Sequence, residues 1–100
     1  MSIIPEGWAL FVVDIEYTVP FKQVQTVIAP HMDFVKQAYE DGRFVSSGAK
    51  VPRTGGVIVM MAPSLEEAQA YLSADPFVTA NVATYRYTQF MPRNLHSALK

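Results

Sequence analysis

The chain has 100 residues, half of them hydrophobic and 17% charged, with a formal net charge of −1 and no cysteine. That length is one domain, able to bury roughly two thirds of its unfolded surface, and the absence of thiols excludes disulfides and cysteine-held zinc. No basic stripe invites nucleic acid or an anionic membrane, and no segment approaches the ~20 apolar residues of a membrane span.

Residues 1–7 carry no basic residue, and the apolar run after them is too short for a signal peptide, so a cytoplasmic protein is expected. Trp8 to Ile15, W-A-L-F-V-V-D-I, reads as a strand rich in β-branched and aromatic residues. From Phe21 to Asp41 the spacing turns helical, with Val24, Val27, Ile28, His31, Val35 and Ala38 recurring at steps of three and four and Gly42 as a C′ residue. Pro30 interrupts this stretch, which predicts either a kink or a fresh helix with Pro30 in its first turn. Arg43 to Ser47 is a short strand, Gly48 to Thr54 a loop, and Gly55-Gly56 leads into a strand over Val57 to Ala62.

Ser64-Leu65-Glu66-Glu67 is a capping box, opening a helix to about Ser73 that buries Leu65, Ala68 and Leu72. Asp75-Pro76 starts another helical turn, with Asp75 as N-cap and Pro76 at its first position. A last strand, Val82 to Phe90, ends before Pro92, leaving a short tail to Lys100. The order β, α, β, β, α, β predicts one α+β domain of ferredoxin-like βαββαβ type, a four-stranded antiparallel sheet with its helices on one face.

Two helices cover only one face of such a sheet. A face left to water should alternate with polar residues. Here Trp8, Leu10 and Val12 oppose Ala9, Phe11, Val13 and Ile15, while Val57, Val59 and Met61 oppose Ile58, Met60 and Ala62. Both faces are apolar, and the tail from Arg93 to Lys100 is too short to cover a sheet. A homodimer packed sheet to sheet is therefore expected.

His31 falls on the apolar stripe of the first helix, so its ring should point at the sheet. It reads either as a proton carrier near neutral pH or as a core histidine satisfied by one carbonyl. Asp75 is an ordinary cap by position, but capping leaves one carboxylate oxygen free to accept from an imidazole. A carboxylate so placed fixes the ring's tautomer and stabilises its protonated form, so the two roles are compatible. Arg43, Lys50 and Arg53 flank the loop around Ser47 and Gly48. They are solvated loop charges or a clamp for a carboxylate or phenolate, with Ser47 and Gly48 donating to a substrate oxygen or only shaping the turn. Tyr85 and Tyr87 share a strand face, as core or as pocket lining. No G-x-S-x-G elbow, phosphate-cradling glycine motif or H-x-x-x-H spacing is present.

Over about residues 8–91 the chain resembles the YciI-like (YCII-related) family. The likeness rests on P-H-x-x-F and D-G-R-F (Pro30, His31, Phe34; Asp41 to Phe44), S-S-G and V-P-R-T-G-G-V-I (Ser46 to Gly48; Val51 to Ile58), S-L-E-E-A (Ser64 to Ala68) and A-D-P-F-V (Ala74 to Val78). The resemblance implies a dimeric α+β barrel with a histidine–aspartate pair facing a cleft, here His31 and Asp75. One departure falls beside that cleft: where the family has S-G-P, this chain has Ser47-Gly48-Ala49.

The function expected is a cofactor-independent isomerase or lyase moving protons on a small, cyclic, anionic metabolite. His31 would be general acid/base, Asp75 its orienting partner, and Arg43 or Arg53 the anion holder beside Ser47 and Gly48. The alternatives are a small-molecule-binding module without catalysis and a cofactor-free monooxygenase. No cofactor, metal, nucleic acid or membrane partner is expected.

Overall fold

A computed structural model describes residues 2–100. The elements run β1 (Ala9–Tyr17), α1 (Phe21–Gln25), α2 (Ile28–Glu40), β2 (Phe44–Ala49), β3 (Gly55–Ala62), α3 (Leu65–Leu72), α4 (Pro76–Thr79) and β4 (Ala83–Phe90). The strands form one antiparallel sheet in the order β2-β3-β1-β4, as the βαββαβ pattern predicts.

The long helical stretch resolves into two helices, with Pro30 in the first turn of α2. The first helical bond of α2 runs from the His31 N–H to the Val27 carbonyl at 3.0 Å, so a ring nitrogen without hydrogen at Pro30 forfeits nothing. At the other end, Gly42 takes φ +72°. The Arg43 N–H reaches back to the Ala38 carbonyl and the Gly42 N–H to that of Tyr39, a Schellman ending that needs a residue at ease in left-handed backbone. The carboxylate of Asp41 accepts from Gln37 and, at 2.6 Å, from the hydroxyl of Tyr71 on α3. Those two donors, the tyrosine first, hold the Asp41 carboxyl below its usual range.

The capping serine behaves as expected, with Ser64 Oγ accepting from the Glu67 N–H. Ala68 and Leu72 are fully buried, but Leu65 remains 37% exposed. It is the first residue of α3, and a helical side chain leans back toward the N-terminus, here beyond the helix and off the sheet.

Register sorts the strand residues. Phe11, Val13 and Ile15 of β1, Ile58 and Met60 of β3 and Phe44 of β2 pack under the helices with Val24, Val35, Ala38, Leu72 and Phe77. Strand β2 reaches two residues beyond the predicted Ser47 and shifts register between Phe44 and Ser46. That bulge lets both Phe44, opposite Met60, and Ser47, opposite Ile58, face the helices.

The other face is less uniformly apolar than its alternation implied. One end is covered by the chain itself: Ile4 and Leu95 pack with Leu10, Met61, Trp8 and Val45, and the Ile3 N–H bonds to the Leu99 carbonyl. The short tail thus covers a corner it was expected to leave bare. Val12, Val57 and Val59 lie half-buried in the middle. The far end is charged, with Lys50 bonded to Asp14 at 2.6 Å and Arg86 opposite Asp14. Among the described residues, no helix is long and apolar enough to cross a membrane.

Candidate active site

Asp75 caps α4, its Oδ1 accepting from the Phe77 N–H at 3.0 Å. The same oxygen lies 2.7 Å from His31 Nδ1. The local reason for the cap, Asp before Pro, therefore also aims a carboxylate at α2. Its second oxygen accepts from the hydroxyl of Tyr85 on β4. Asp75 is fully buried, and these donors come from three elements. Because a carboxylate only accepts, the bond to His31 requires the proton on Nδ1, leaving Nε2 as a lone pair.

The ring of His31 is held a second way. Phe77 stacks on it with centroids 3.7 Å apart and planes 3° from parallel. Phe77 thus supplies a backbone donor to Asp75 and a platform for His31. Its position two residues past the cap is readable in the sequence, but its stacking partner 46 positions earlier is not. Burial first, then the charge of Asp75, push the Tyr85 hydroxyl far above the ordinary phenol range, so it stays a donor. The neighbouring Tyr87 hydroxyl is pushed up to about 12 by the same two causes.

His31, 12% exposed, forms part of the wall of a cavity of about 190 Å³. Ile15, Tyr17, Ile28, Val35 and Phe77 make the rest of its inner wall, with Met32 nearer the surface, and the β2–β3 hairpin closes the opposite side. From that hairpin come Ser47, Gly48, Ala49, Arg53, Gly55 and Gly56. Gly55 lies so close to β1 that a Cβ there would fall 1.8 Å from the Ile15 carbonyl oxygen; only glycine lets the hairpin fold down as the cavity floor.

Of the predicted site residues, the structure brings His31 and Asp75 into contact and sets Ser47, Gly48 and Arg53 around the same cavity. Ser47 shares a 2.8 Å hydrogen bond with the Tyr39 hydroxyl, and Arg53 lies over the Phe21 ring, 5.0 Å from its centroid. Arg43 does not line the cavity. Its guanidinium sits between Trp8 and Tyr71, 5.0 and 5.3 Å from their ring centroids, with Nη1 buried and without a hydrogen bond among the described residues. Lys50 points to the other face of the sheet, toward Asp14. Ala49, where the family motif has proline, lies on the cavity rim. Among the described residues, no group of three or more His, Asp or Glu is placed to hold a metal ion.

Fold and site together define a βαββαβ domain with a histidine–carboxylate pair in the wall of a small apolar cavity. The chain belongs to the YCII-related domain family, whose model matches residues 7–91. No protein of curated function matches it. Among solved structures it is similar to 5-chloro-2-hydroxyhydroquinone dehydrochlorinase from Burkholderia phenoliruptrix AC1100, in a complex with 2,5-dihydroxybenzoquinone. The TM-score is 0.69 at 18% identity, covering 81% of this chain and 92% of that one. At that identity the likeness shows the fold.

Proposed function

We propose that the protein is a cofactor-independent acid–base enzyme, an isomerase or lyase acting on a small cyclic anion. The observation that carries this reading is the 2.7 Å contact between His31 Nδ1 and Asp75 Oδ1 in the wall of a cavity. Nε2, bonded to nothing among the described residues, is the base. It takes a proton from a carbon or hydroxyl of the ring substrate, and the imidazolium so formed is stabilised by Asp75. Returning the proton at another carbon gives isomerisation; loss of a leaving group gives elimination.

Size and lining support a ring. A dry apolar cavity of about 150 Å³ takes up benzene, so about 190 Å³ suits a substituted six-membered ring. Arg53 at the rim is the cation placed to draw in a phenolate or carboxylate, and Ser47 is a nearby hydroxyl donor. The dehydrochlorinase of the same fold, named for a chlorinated ring substrate and complexed with a quinone, supports the substrate class. We place the enzyme in the cytoplasm as a homodimer joined through the open face of the sheet, where Val12, Val57 and Val59 remain half-buried in a single chain.

One observation favours a binding module without catalysis: the His31–Asp75 bond and the His31–Phe77 stack also stitch α2 to α4. Ring-proton exchange separates the readings. Incubated in deuterated water with a panel of hydroxyquinols, hydroxyquinones and enol-lactones, the protein should exchange or eliminate ring hydrogens of at least one member. His31→Ala should slow this by about 10²–10⁴ and stay folded. Equal turnover by the His31→Ala protein would refute the acid–base reading.

A further inference from the structure

Tyr85 does not line the cavity, yet it completes the buried carboxylate. Asp75 Oδ1 is held by the Phe77 N–H and by His31, whereas Oδ2 is held, among the described residues, by the Tyr85 hydroxyl alone. The two donors on Oδ1 already set the orientation of the carboxylate. The Tyr85 bond is charge-assisted, so it draws part of the carboxylate charge away from the imidazole.

We propose that Tyr85 is a positioning residue that acts on His31 through Asp75, taking up part of the carboxylate's charge and so limiting how strongly it stabilises protonated His31. The proposal rests on the acid–base reading only for its catalytic consequence. The titratable groups around His31 are Asp75, bonded to its ring, Tyr85, bonded to Asp75, Tyr87, packed against the same core as Phe77, and Tyr17 and Arg53, which line the same cavity. Its own helix adds the exposed Asp33 and Lys36. Among the described residues, Asp75 alone bonds to the ring, and Tyr85 alone among the side chains bonds to Asp75 besides His31.

The test follows the two histidines of the protein by NMR titration. Tyr85→Phe keeps the aromatic ring and removes the hydroxyl, concentrating the Asp75 charge on the imidazole. The midpoint of His31 should rise, with His96, in the C-terminal turn, as the internal reference. Tyr87→Phe removes a neighbouring hydroxyl that makes no bond to Asp75 and should leave His31 unmoved. A His31 midpoint unchanged or lowered in Tyr85→Phe, or moved equally by both variants, overturns the proposal. In the unsubstituted protein, labelled at tyrosine Cζ, the Tyr85 hydroxyl proton should exchange slowly enough to be seen, and rapid exchange overturns it too. Turnover enters none of these readouts, so a failure of the acid–base reading would show separately, as unimpaired activity in His31→Ala.

Discussion

Removing the carboxylate of Asp75 should be among the most damaging single changes in the protein, and the size of the loss follows from its bonds. In Asp75→Ala the cap on Phe77 disappears, a loss of about 0.5–2 kcal/mol. The Tyr85 hydroxyl is left buried without its acceptor, adding about 1–3 kcal/mol. His31 loses its partner too but is 12% exposed and can turn toward water in the cavity, adding about 1 kcal/mol. The sum is about 2.5–6 kcal/mol, a large share of the ~5–15 kcal/mol typical of a domain. Asp75→Asn should behave differently. Its amide oxygen can keep both the Phe77 and His31 bonds, and its amide nitrogen can donate to Tyr85, whose hydroxyl also accepts. Only the charge is lost, at about 1–2 kcal/mol, but the imidazolium loses its counter-charge. Urea unfolding, followed by the fluorescence of the single tryptophan, Trp8, and by circular dichroism, separates the two variants if the m-values agree. An Asp75→Ala protein within about 0.5 kcal/mol of wild type would mean ordinary surface behaviour and would refute the three-donor carboxylate.

Gly55→Ala should be destabilised by ~3 kcal/mol or more, because its Cβ would sit 1.8 Å from a backbone oxygen of β1; thermal unfolding checks this, and a loss below about 1 kcal/mol would show a floor that yields easily. Gly42→Ala should cost about 1 kcal/mol through its left-handed backbone, read by the same melt. Alkali should unfold the protein for a reason visible in the tyrosines. Tyr85 and Tyr87 have folded values raised above the unfolded ~10, that of Tyr87 to about 12. Their contribution to stability is complete below pH ~10 and is lost as pH climbs through the folded values. Tyr71 is raised too, by burial first and then by its bond to Asp41, so of the five tyrosines these three should show phenolate absorbance only as the fold is lost; full ionisation of all five before any change in circular dichroism would contradict the burial and bonding of these hydroxyls.

Local grammar carried much of this structure. The caps at Ser64 and Asp75, the glycine after α2 and the phase of His31 on its helix depend on neighbouring residues, so they could be read along the chain. Asp75 was legible as half of a site because a capping carboxylate has accepting capacity to spare, but the oxygen was misassigned: His31 meets the capping oxygen itself, which has lone pairs for both donors, and the oxygen expected to stay open for the imidazole goes to Tyr85. Features set by register were hidden. The shift near Val45 has no residue signature, yet it decides that Ser47 turns toward the cavity and carries β2 on to Ala49. Arg43 and Arg53 are equivalent as sequence; only the packing of Trp8 and Tyr71 removes the first from the cavity. Tyr85 was legible as one of two tyrosines on a strand face, but its bond to Asp75 depends on α4 crossing β4. The open face misled because alternation cannot show that Ile4 and Leu95, from opposite ends of the chain, fold over one corner of it.

The tautomer of His31 tests the mechanism most directly. A ¹⁵N spectrum of the imidazole above its titration midpoint should show the proton on Nδ1, bonded to Asp75, and a bare Nε2 whose signal moves when a ring anion enters the cavity. A proton on Nε2, or a ring nitrogen indifferent to every such ligand, would contradict the claim that this histidine is a base turned toward its substrate.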